Sequence, residues 1–396
     1  MNICICGPVN PFELREFITS NTQIISINKG ASAVNTYVKE LLRCNHNVTV
    51  LTSDVPLDII SDITYLGKNL TIYVLSSKPG FFFHHVFSRF YMVNRLRRYL
   101  KKLVSKLDVV HCQWTYDYAM AARSIEKKVP VFCTVRDWCP YIKKVQGSLF
   151  KKIQWTLYEL QFRYVMSSHY INFIANSQYT YNCIQAFYPE KKVPIIFNPV
   201  DKELILFEKN QFPKTPTFIS IASSATEKRK NIPILLEAFS MFLHDSPNAK
   251  LLLVGGGFQT DNPALTTFKK QGLFHNVELL GTMCHRDVIE TIDRSSCLIH
   301  PALEESFGNI LIEGMARFVP VIGGEKSGAV PMVLDYGNCG ILCDITSKES
   351  IVEAMRKTLN NDFVSRMVKK ANDYVRSTYG SDVILQKHID LYSNYI

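Results

Sequence analysis

The chain has 396 residues, a length that predicts two domains rather than a single hydrophobic core. Hydrophobic residues make up 47% and charged residues 20% of it, which excludes a disordered or collagen-like protein. The 45 Lys and Arg residues exceed the 35 Asp and Glu residues, and the resulting net charge of +10 fits anionic partners such as nucleotides or anionic lipid. No zinc knuckle, aromatic RNA-binding motif or other nucleic-acid signature accompanies this charge, so nucleic acid is not an expected partner.

Two further features bear on the compartment. No apolar run approaches the ~20 residues needed to cross a bilayer, and the first ten residues, MNICICGPVN, lack the charged and apolar regions of a signal peptide. We therefore expect a cytoplasmic protein. The eleven cysteines are scattered and show none of the spacings that zinc sites require, so we expect reduced, buried thiols.

Apolar strand-like segments alternate with amphipathic ones along the chain, a pattern typical of an α/β fold with doubly wound parallel sheets. A helix is predicted at 33–44. The strands predicted in the first half are 1–6, 48–52, 72–75, 109–112, 131–135 and 171–175. The pattern then restarts, with strands predicted at 217–222, 250–254, 277–280, 297–300, 319–323 and 340–342.

Prolines interrupt the periodic pattern between residues 198 and 213, which indicates a domain boundary there. We predict an N-terminal Rossmann-like domain at 1–199 and a C-terminal Rossmann-like domain at 200–375. The segment 376–396 is predicted to be a helix that packs back on the N-terminal domain. Because ligands of open parallel sheets bind beyond the carboxyl ends of the strands, the loops after the strands are the candidate sites.

One such loop carries two glutamates eight positions apart. In HPALEESFGNILIEGMARFVPVIGG, which starts at His300, Glu305 follows a predicted buried strand and Glu313 lies in a predicted helix. The helix start near Gly308 and Asn309 can attract phosphate through its N–H groups and dipole. Glu313 can accept two hydrogen bonds from a vicinal diol such as a ribose. For such a pair taken alone, a capping glutamate and a solvated helical glutamate are the alternative.

This stretch resembles the E-x7-E signature of retaining glycosyltransferases of family 4, which have the two-domain GT-B fold. Further segments match that family's landmarks in order: KGAS, HNVTVLT, DVVHCQW, FIANSQYT, IIFNPVD, RKNIPILLEAF and KLLLVGGG. Each short motif is weakly specific, and their common order and spacing carry the resemblance. It covers nearly the whole chain and implies two Rossmann-like domains that face each other across a cleft. The resemblance further implies that the domain at 1–199 binds the acceptor and that the domain at 200–375 binds the donor, a nucleotide sugar.

The resemblance also implies residue roles. Lys230 would bind the diphosphate of a sugar nucleotide as a point charge, Glu305 would face the donor sugar, and Glu313 would hold the ribose. Without the resemblance, Lys230 would be taken for a solvated lysine in a charge run. The predicted catalytic residues are Lys230, Glu305 and Arg136. The predicted donor-binding residues are Gly30, Arg229, Lys230, Met283, Glu305, Phe307, Gly308, Asn309 and Glu313.

Two positions depart from the family pattern. Ala225 stands where members commonly carry an arginine, five residues before the lysine, and Arg229 is the candidate substitute. Arg136 stands where many members have a histidine, and arginine cannot act as a base at neutral pH. We expect Arg136 to neutralise a phosphate or to orient the acceptor. An ion pair with Asp137 at the surface is the alternative.

The family's chemistry implies front-face attack, in which the donor phosphate takes the acceptor proton and the protein stabilises the leaving group. The chain contains no Asp-x-Asp pair that could hold a divalent metal across a diphosphate. We therefore expect no metal site and no cofactor apart from the substrate, a nucleoside-diphosphate sugar.

The segment 81–107 carries an apolar helical stripe opposite a basic side. The stripe consists of Val93, Leu96, Leu100, Leu103, Val104 and Leu107, and a second basic-aromatic segment spans 143–163. Two interpretations remain open: the stripe packs onto the sheet, or the segment lies on an anionic membrane surface. Because many family members add sugars to lipid-linked carriers, peripheral contact with the cytosolic face of a membrane is a reasonable hypothesis.

We thus expect a glycosyltransferase that moves a sugar from a nucleoside-diphosphate sugar to a glycan or lipid-linked saccharide, in the synthesis of cell-surface polysaccharide or glycolipid. Two alternatives remain. A GT-B epimerase or hydrolase would turn over the sugar nucleotide without an acceptor. A catalytically inactive partner subunit, suggested by Ala225 and Arg136, would bind the donor without turnover.

Overall fold

The computed structural model describes residues 1–27, 31–53, 61–76, 84–206, 213, 215–222 and 224–396, with the backbone alone for 84–88. The chain forms two compact units. The first unit comprises Met1–Pro199 together with Ser381–Ile396, and the second comprises Val200–Gly380. Each unit is an α/β structure built on one mostly parallel sheet, which is the fold class that the sequence pattern predicts.

Within the described residues, the sheet of the first unit has seven strands in the order β3-β4-β2-β1-β5-β6-β7. They are β1 (Asn2–Cys6), β2 (Asn47–Thr52), β3 (Ile63–Leu66), β4 (Leu70–Val74), β5 (Val109–Cys112), β6 (Val131–Val135) and β7 (Ile171–Ala175). All neighbours pair in parallel except β3, which is antiparallel to β4. The sequence pattern missed β3 because only Tyr65 of its four residues is buried. Since β1 lies between β2 and β5, the strand order reverses at this point.

The helices of this unit that precede the second unit cover the sheet. They are α1 (Ser32–Arg43), α2 (His84–Leu103), α3 (Asp117–Ala122), α4 (Cys139–Val145), α5 (Leu149–Met166) and α6 (Gln178–Phe187). In α2, Val93, Leu96 and Leu100 are buried in the core, so the stripe predicted from the sequence packs onto the sheet. Among the helices described, none has the length and hydropathy to span a membrane.

In the described part of the second unit, the sheet has six parallel strands in the order β10-β9-β8-β11-β12-β13. They are β8 (Thr217–Ile221), β9 (Lys250–Val254), β10 (Val277–Gly281), β11 (Cys297–His300), β12 (Val321–Gly324) and β13 (Ile341–Cys343). The helices are α7 (Ile232–Phe242), α8 (Thr266–Lys270), α9 (His285–Asp293), α10 (Asn309–Ala316), α11 (Val330–Val333), α12 (Lys348–Lys357) and α13 (Asn361–Tyr379). The strand order reverses at β8, which lies between β9 and β11.

The C-terminal segment is two helices rather than the single helical segment that its periodicity indicates. Helix α13 ends at Tyr379, and α14 (Ser381–Ser393) begins after Gly380 and belongs to the first unit. Its Tyr392 hydroxyl lies 2.5 Å from His111 Nδ1 and 2.7 Å from the Tyr37 hydroxyl, and all three side chains are buried. Burial lowers the pKa of His111 well below its usual value. The imidazole is therefore neutral at pH 7, and these two hydrogen bonds of Tyr392 are uncharged.

Removal of the Tyr392 hydroxyl tests this attachment. Tyr392→Phe leaves Tyr37 and His111 short of one partner in the core, which costs about 1–3 kcal/mol of unfolding free energy. All three tryptophans, Trp114, Trp138 and Trp155, belong to the first unit, so urea unfolding followed by their fluorescence reports on it. Tyr395→Phe, at a half-exposed position, is the matched control and should leave the midpoint unchanged. Equal midpoints for the two variants would contradict this role for Tyr392.

Candidate active site

The central contact of the site joins two loops of the second unit. Strands β8 and β11 are neighbours where the strand order reverses, and Lys230 and Glu305 lie in the loops that follow them. Lys230 Nζ donates to Glu305 Oε1. The N–H of Leu303 also donates to the carbonyl of Arg229 at 2.8 Å. Backbone and side chains together therefore hold the two loops at the carboxyl end of the sheet, where parallel sheets bind ligands.

Three basic side chains surround the carboxylate of Glu305. Besides Lys230, Arg229 Nη1 lies 3.8 Å and His300 Nε2 lies 3.3 Å from its Oε1. Burial by itself would raise the pKa of Glu305, but Lys230 first, then His300 and Arg229, lower it well below its usual range. Glu305 is therefore an ionised carboxylate at any working pH, even though its side chain is only 13% exposed.

Arg229 is held by other carboxylates of the same cluster. Its Nε donates to Glu227 Oε1 at 3.0 Å, and its Nη1 donates to the carbonyl of Glu304 at 3.1 Å. Burial would lower the pKa of Arg229, but Glu305, Glu227 and Glu304 raise it, so the guanidinium remains charged. Ala225 is buried and packs closely against Gly257. A Cβ added to Gly257 would lie only 3.2 Å from the Cβ of Ala225. In this cluster, the guanidinium near Glu305 therefore comes from Arg229 and not from position 225.

Local backbone structure positions Lys230, which is only 8% exposed. It ends the short helical turn Lys228–Lys230, and Asn231 follows it with φ 55°. Asparagine adopts this left-handed conformation more readily than most residues. The Asn231 Nδ2 donates to the carbonyl of Ile345 at 2.7 Å, which ties the turn to the loop after β13. This bond positions the turn that presents Lys230 to Glu305.

The glycine-rich loop after β12 supports the other partner. Gly328 has φ +60°, and a Cβ at this position would lie 2.3 Å from the carbonyl oxygen of Glu305. The N–H of Ala329 donates to that same oxygen at 2.9 Å. Only glycine permits this approach. The loop thus positions the backbone of Glu305 while Lys230 positions its side chain.

Helix α10 begins beside this cluster. Its N-cap is Gly308, with φ +89°, and Asn309 is its first residue. Glu313, in the second turn, is 6% exposed and accepts a hydrogen bond from His285 Nε2 at 3.1 Å. The Phe307 side chain is buried edge-to-face against Tyr379, with the ring centroids 5.6 Å apart. Phe307 therefore offers only its backbone to a ligand.

Met283 and Gly30 are the remaining predicted donor-binding residues. Strand β10 ends at Gly281, which has φ +65°, and Met283 is half-buried in the connection to α9. Helix α9 begins at His285, the partner of Glu313, so Met283 lies two residues from that contact. Gly30 lies outside the residues that the structure describes.

Arg136 lies in the first unit, directly after β6. Its Nη1 donates to Asn198 Oδ1 at 2.6 Å, and its Nη2 donates to Gln113 Oε1. Asp137 instead accepts hydrogen bonds from Trp114 Nε1 at 2.9 Å and the Tyr116 hydroxyl at 2.8 Å. Burial lowers the pKa of Arg136 to about 10, so it remains a cation at neutral pH. These contacts tie Arg136 to the loop after β5 and do not favour the surface ion pair.

Sequence reasoning missed four members of the cluster in the second unit. His300 is the last residue of β11, and His285 opens α9. Glu304 precedes the predicted glutamate, and Glu227 lies two residues before Arg229. One signal for His300 is present in the sequence, because a polar residue that ends a buried strand of a parallel sheet faces the ligand edge. Nothing in the sequence pairs His285 with Glu313, since 28 positions separate them.

Two family models match the chain over most of its length. The model described as Glycosyltransferase Family 4 matches residues 31–204, and the model described as Glycosyl transferases group 1 matches residues 202–378. The chain belongs to glycosyltransferase family 4. It is a transferase.

Known relatives of the chain are themselves glycosyltransferases. The N-acetyl-alpha-D-glucosaminyl L-malate synthase of Bacillus anthracis is 24% identical over 385 residues, 92% of this chain and 93% of the relative. The alpha-monoglucosyldiacylglycerol synthase of Acholeplasma laidlawii is 24% identical over 345 residues, 78% of this chain and 80% of the relative. These names do not favour an epimerase, a hydrolase or an inactive partner subunit.

A solved structure shows the same fold. The Anabaena protein Alr3699/HepE, in complex with UDP-glucose, matches this chain with a TM-score of 0.68 at 14% sequence identity, and the match covers 100% of both chains. At this identity the likeness shows the fold alone. This family 4 glycosyltransferase therefore has the GT-B fold that the sequence resemblance implies.

The ionised state of Glu305 leads to a prediction about stability. Its pKa is lower in the folded than in the unfolded chain, so its contribution is complete above the unfolded value of about 4.3 and is lost as the pH falls towards the folded value. Glu305→Gln should lower the unfolding free energy by about 3 kcal/mol at pH 7, because Lys230 is left buried without its partner.

Urea unfolding followed by circular dichroism from pH 7 to pH 3 measures this effect. The difference between wild type and Glu305→Gln should shrink as the pH falls below the unfolded carboxyl pKa. Glu325→Gln is the control, because that glutamate is half-exposed and pairs with the exposed Lys326. A difference between wild type and Glu305→Gln that stays constant over the whole pH range would show that Glu305 is not held ionised by its neighbours.

Proposed function

We propose that this glycosyltransferase transfers a sugar, with retention of its anomeric configuration, from a nucleoside-diphosphate sugar to a glycan or lipid-linked saccharide. The observation that carries the proposal is the buried contact between Lys230 and Glu305 at the carboxyl ends of β8 and β11. A buried cation and an ionised carboxylate in contact provide opposite charges for the two halves of a breaking glycosyl-phosphate bond.

Each half of that bond has a complementary group in the cluster. Lys230, supported by Arg229, would offset the negative charge that develops on the leaving diphosphate, and the N-terminus of α10 at Gly308 and Asn309 would add its dipole. Glu305 would stabilise the positive charge of an oxocarbenium-like sugar. Glu313 would accept hydrogen bonds from the ribose, with His285 orienting its carboxylate at 3.1 Å.

The proposed reaction requires no protein base. The bond between the anomeric carbon and the phosphate oxygen breaks while the acceptor oxygen attacks from the same face. The acceptor proton passes to the departing diphosphate, which leaves as the nucleoside diphosphate. Arg136, whose pKa of about 10 keeps it protonated, fits the orientation of an acceptor or a phosphate and not proton abstraction.

The named relatives support the substrate classes. The Anabaena structure holds UDP-glucose, and the name of the Acholeplasma enzyme describes a glucosylated diacylglycerol as its product. We therefore propose a uridine-diphosphate sugar as the donor and a molecule at the cytosolic face of a membrane as the acceptor. Synthesis of a cell-surface polysaccharide or glycolipid is the process that we propose for this enzyme.

A panel of nucleoside-diphosphate sugars tests the donor site. Wild type should show a thermal shift with one donor and release its nucleoside diphosphate. Lys230→Ala should weaken donor binding by about tenfold or more, because hydrogen bonds between charged groups contribute about 1.5–3 kcal/mol each. Glu313→Ala should weaken the response to the nucleoside diphosphate itself. Lys326→Ala, at an exposed lysine of the same unit, is the control. Donor affinities that do not change in Lys230→Ala and Glu313→Ala would remove both residues from the site.

Chelation tests the leaving-group assignment. If Lys230, Arg229 and the start of α10 stabilise the diphosphate, release of nucleoside diphosphate should keep its rate in excess EDTA. Added Mg²⁺ should change that rate by less than about twofold, well below the effect that loss of a Lewis acid has on transition-state charge. A rate that falls to background in EDTA and returns with Mg²⁺ would contradict the assignment of this role to the protein's cations.

A further inference from the structure

Helix α5 is apolar on two opposite faces. On one face, Phe162, Val165 and Met166 are buried in the core of the first unit. The other face carries Leu149, Phe150, Ile153, Leu157, Leu160 and Tyr164, and each of these side chains is at least 44% exposed. With 3.6 residues per turn, the two sets point in roughly opposite directions. A helical face with this many exposed apolar side chains marks an interaction surface.

A groove runs between this outer face and α2. It has a volume of about 290 Å³, and Phe90, Phe150, Ile153 and Leu157 are among the residues that line it. This volume lies at the lower end of the range for small-molecule sites, roughly 300 Å³. The groove therefore fits a single hydrocarbon chain better than a folded peptide element.

The polar residues of the groove are engaged with the protein. The Arg89 guanidinium lies 4.4 Å from the centre of the Tyr158 ring, and its Nη1 donates to Asp117 Oδ2 at 2.5 Å. The Gln161 Nε2 donates to the other oxygen of Asp117 at 3.3 Å. The Gln154 Nε2 donates to the Tyr158 hydroxyl at 3.4 Å. The charge of Arg89 is therefore neutralised, and most of the remaining lining is apolar.

The surroundings of the groove are strongly basic. The segments His84–Leu103 and Cys139–Met166 contain eleven Lys and Arg residues and one acidic residue, Glu159. This surplus of ten equals the net charge of the entire chain, so the remainder of the sequence is balanced.

Some of these cations remain available at the surface. Lys143 and Arg163 pair with Glu159. Lys151 and Lys152 are exposed and flank Phe150 and Ile153 in the chain, and no carboxylate of the described residues forms an ion pair with either lysine.

We propose that the outer face of α5 docks on an anionic lipid surface and that the groove between α2 and α5 holds one hydrocarbon chain of a lipid. The apolar side chains enter the region between the headgroups and the acyl chains. The exposed Lys151 and Lys152, in the first turn of α5, attract the anionic headgroups over a Debye length of about 10 Å. The helix then lies in the plane of the membrane, with Phe162, Val165 and Met166 still packed in the core.

The charge argues for lipid as the occupant. A second copy of this chain would bring the same basic face, and like charges would oppose the pairing. An anionic leaflet offers both complementary charge and hydrocarbon. The inference rests on the proposed function only in the identity of the acceptor, because docking would place the enzyme where a lipid-linked saccharide is found. Vesicle binding requires neither donor nor acceptor, so it can be measured even if the proposed reaction is wrong.

Flotation with vesicles of phosphatidylglycerol and phosphatidylcholine tests the docking, with vesicles of phosphatidylcholine alone as the uncharged comparison. Wild type should float with the anionic vesicles at low salt and less at high salt. A combined Ile153→Gln, Leu157→Gln and Leu160→Gln variant should bind at least about tenfold more weakly, because these exposed side chains supply the buried apolar area. Lys151→Glu with Lys152→Glu should weaken binding by about tenfold or more and reduce its salt dependence.

Control variants carry the same kinds of substitution at exposed residues of the second unit. Leu359→Gln with Phe363→Gln changes exposed apolar residues, and Lys369→Glu with Lys370→Glu changes exposed lysines. Both control variants should bind vesicles as wild type does. Wild type that stays unbound at low salt would overturn the proposal. Glutamine substitutions that leave flotation unchanged but convert a dimer into a monomer would also overturn it and assign the face to self-association.

A tryptophan added to α5 reports on insertion directly, so this measurement does not depend on a variant that loses binding and could have lost its fold. Leu157→Trp places an indole on the outer face of α5, and lipids brominated on their acyl chains should quench its added emission. Leu359→Trp, at an exposed position of the second unit, should not be quenched. If the added emission of vesicle-bound Leu157→Trp were not quenched, or were quenched no more than that of Leu359→Trp, α5 would not be the part of the protein that enters the hydrocarbon.

Discussion

The site depends on one buried ion pair. Lys230 and Glu305 lie 75 positions apart in the chain, and their side chains are only 10% and 13% exposed. Dehydration of two charges is costly, and apolar residues of similar volume often stabilise a fold as well as such a pair does. The pair is therefore poorly explained as a device for stability. In the function that we propose, the pair supplies opposite charges to the two halves of the breaking glycosyl-phosphate bond.

Sheet topology explains how distant residues come together. In each unit, neighbouring strands deliver polar loops to the same edge: β8 and β11 bring Lys230 to Glu305, and β5 and β6 bring Gln113 to Arg136. Within each pair, the strands are parallel, so both carboxyl ends lie on one side. The same rule thus places a cation and its partner at the ligand edge of each unit.

The sequence predicted the parts of the fold that depend on local pattern, since buried parallel strands are continuous apolar runs. It missed β3, where only Tyr65 is buried, and the break at Gly380, because apolar periodicity continues beyond it. The glutamates of the site were visible through their motif. His285 and the acidic partners of Arg229 were not, because those contacts depend on tertiary structure. For His300, the sequence offered only its position at the end of a buried strand. Nor can periodicity tell which apolar face is covered by the rest of the protein. The apolar stripe of α2 is buried, whereas the outer apolar face of α5 is exposed.

A crystal structure with a nucleoside diphosphate bound would show whether the ion pair takes part in substrate binding. A diphosphate oxygen should lie within hydrogen-bond distance of Lys230 Nζ, with Glu305 still beside that lysine and facing the space where the sugar would bind. A diphosphate bound away from Lys230, with the ion pair unchanged and closed to the ligand, would show that the pair has a structural role only.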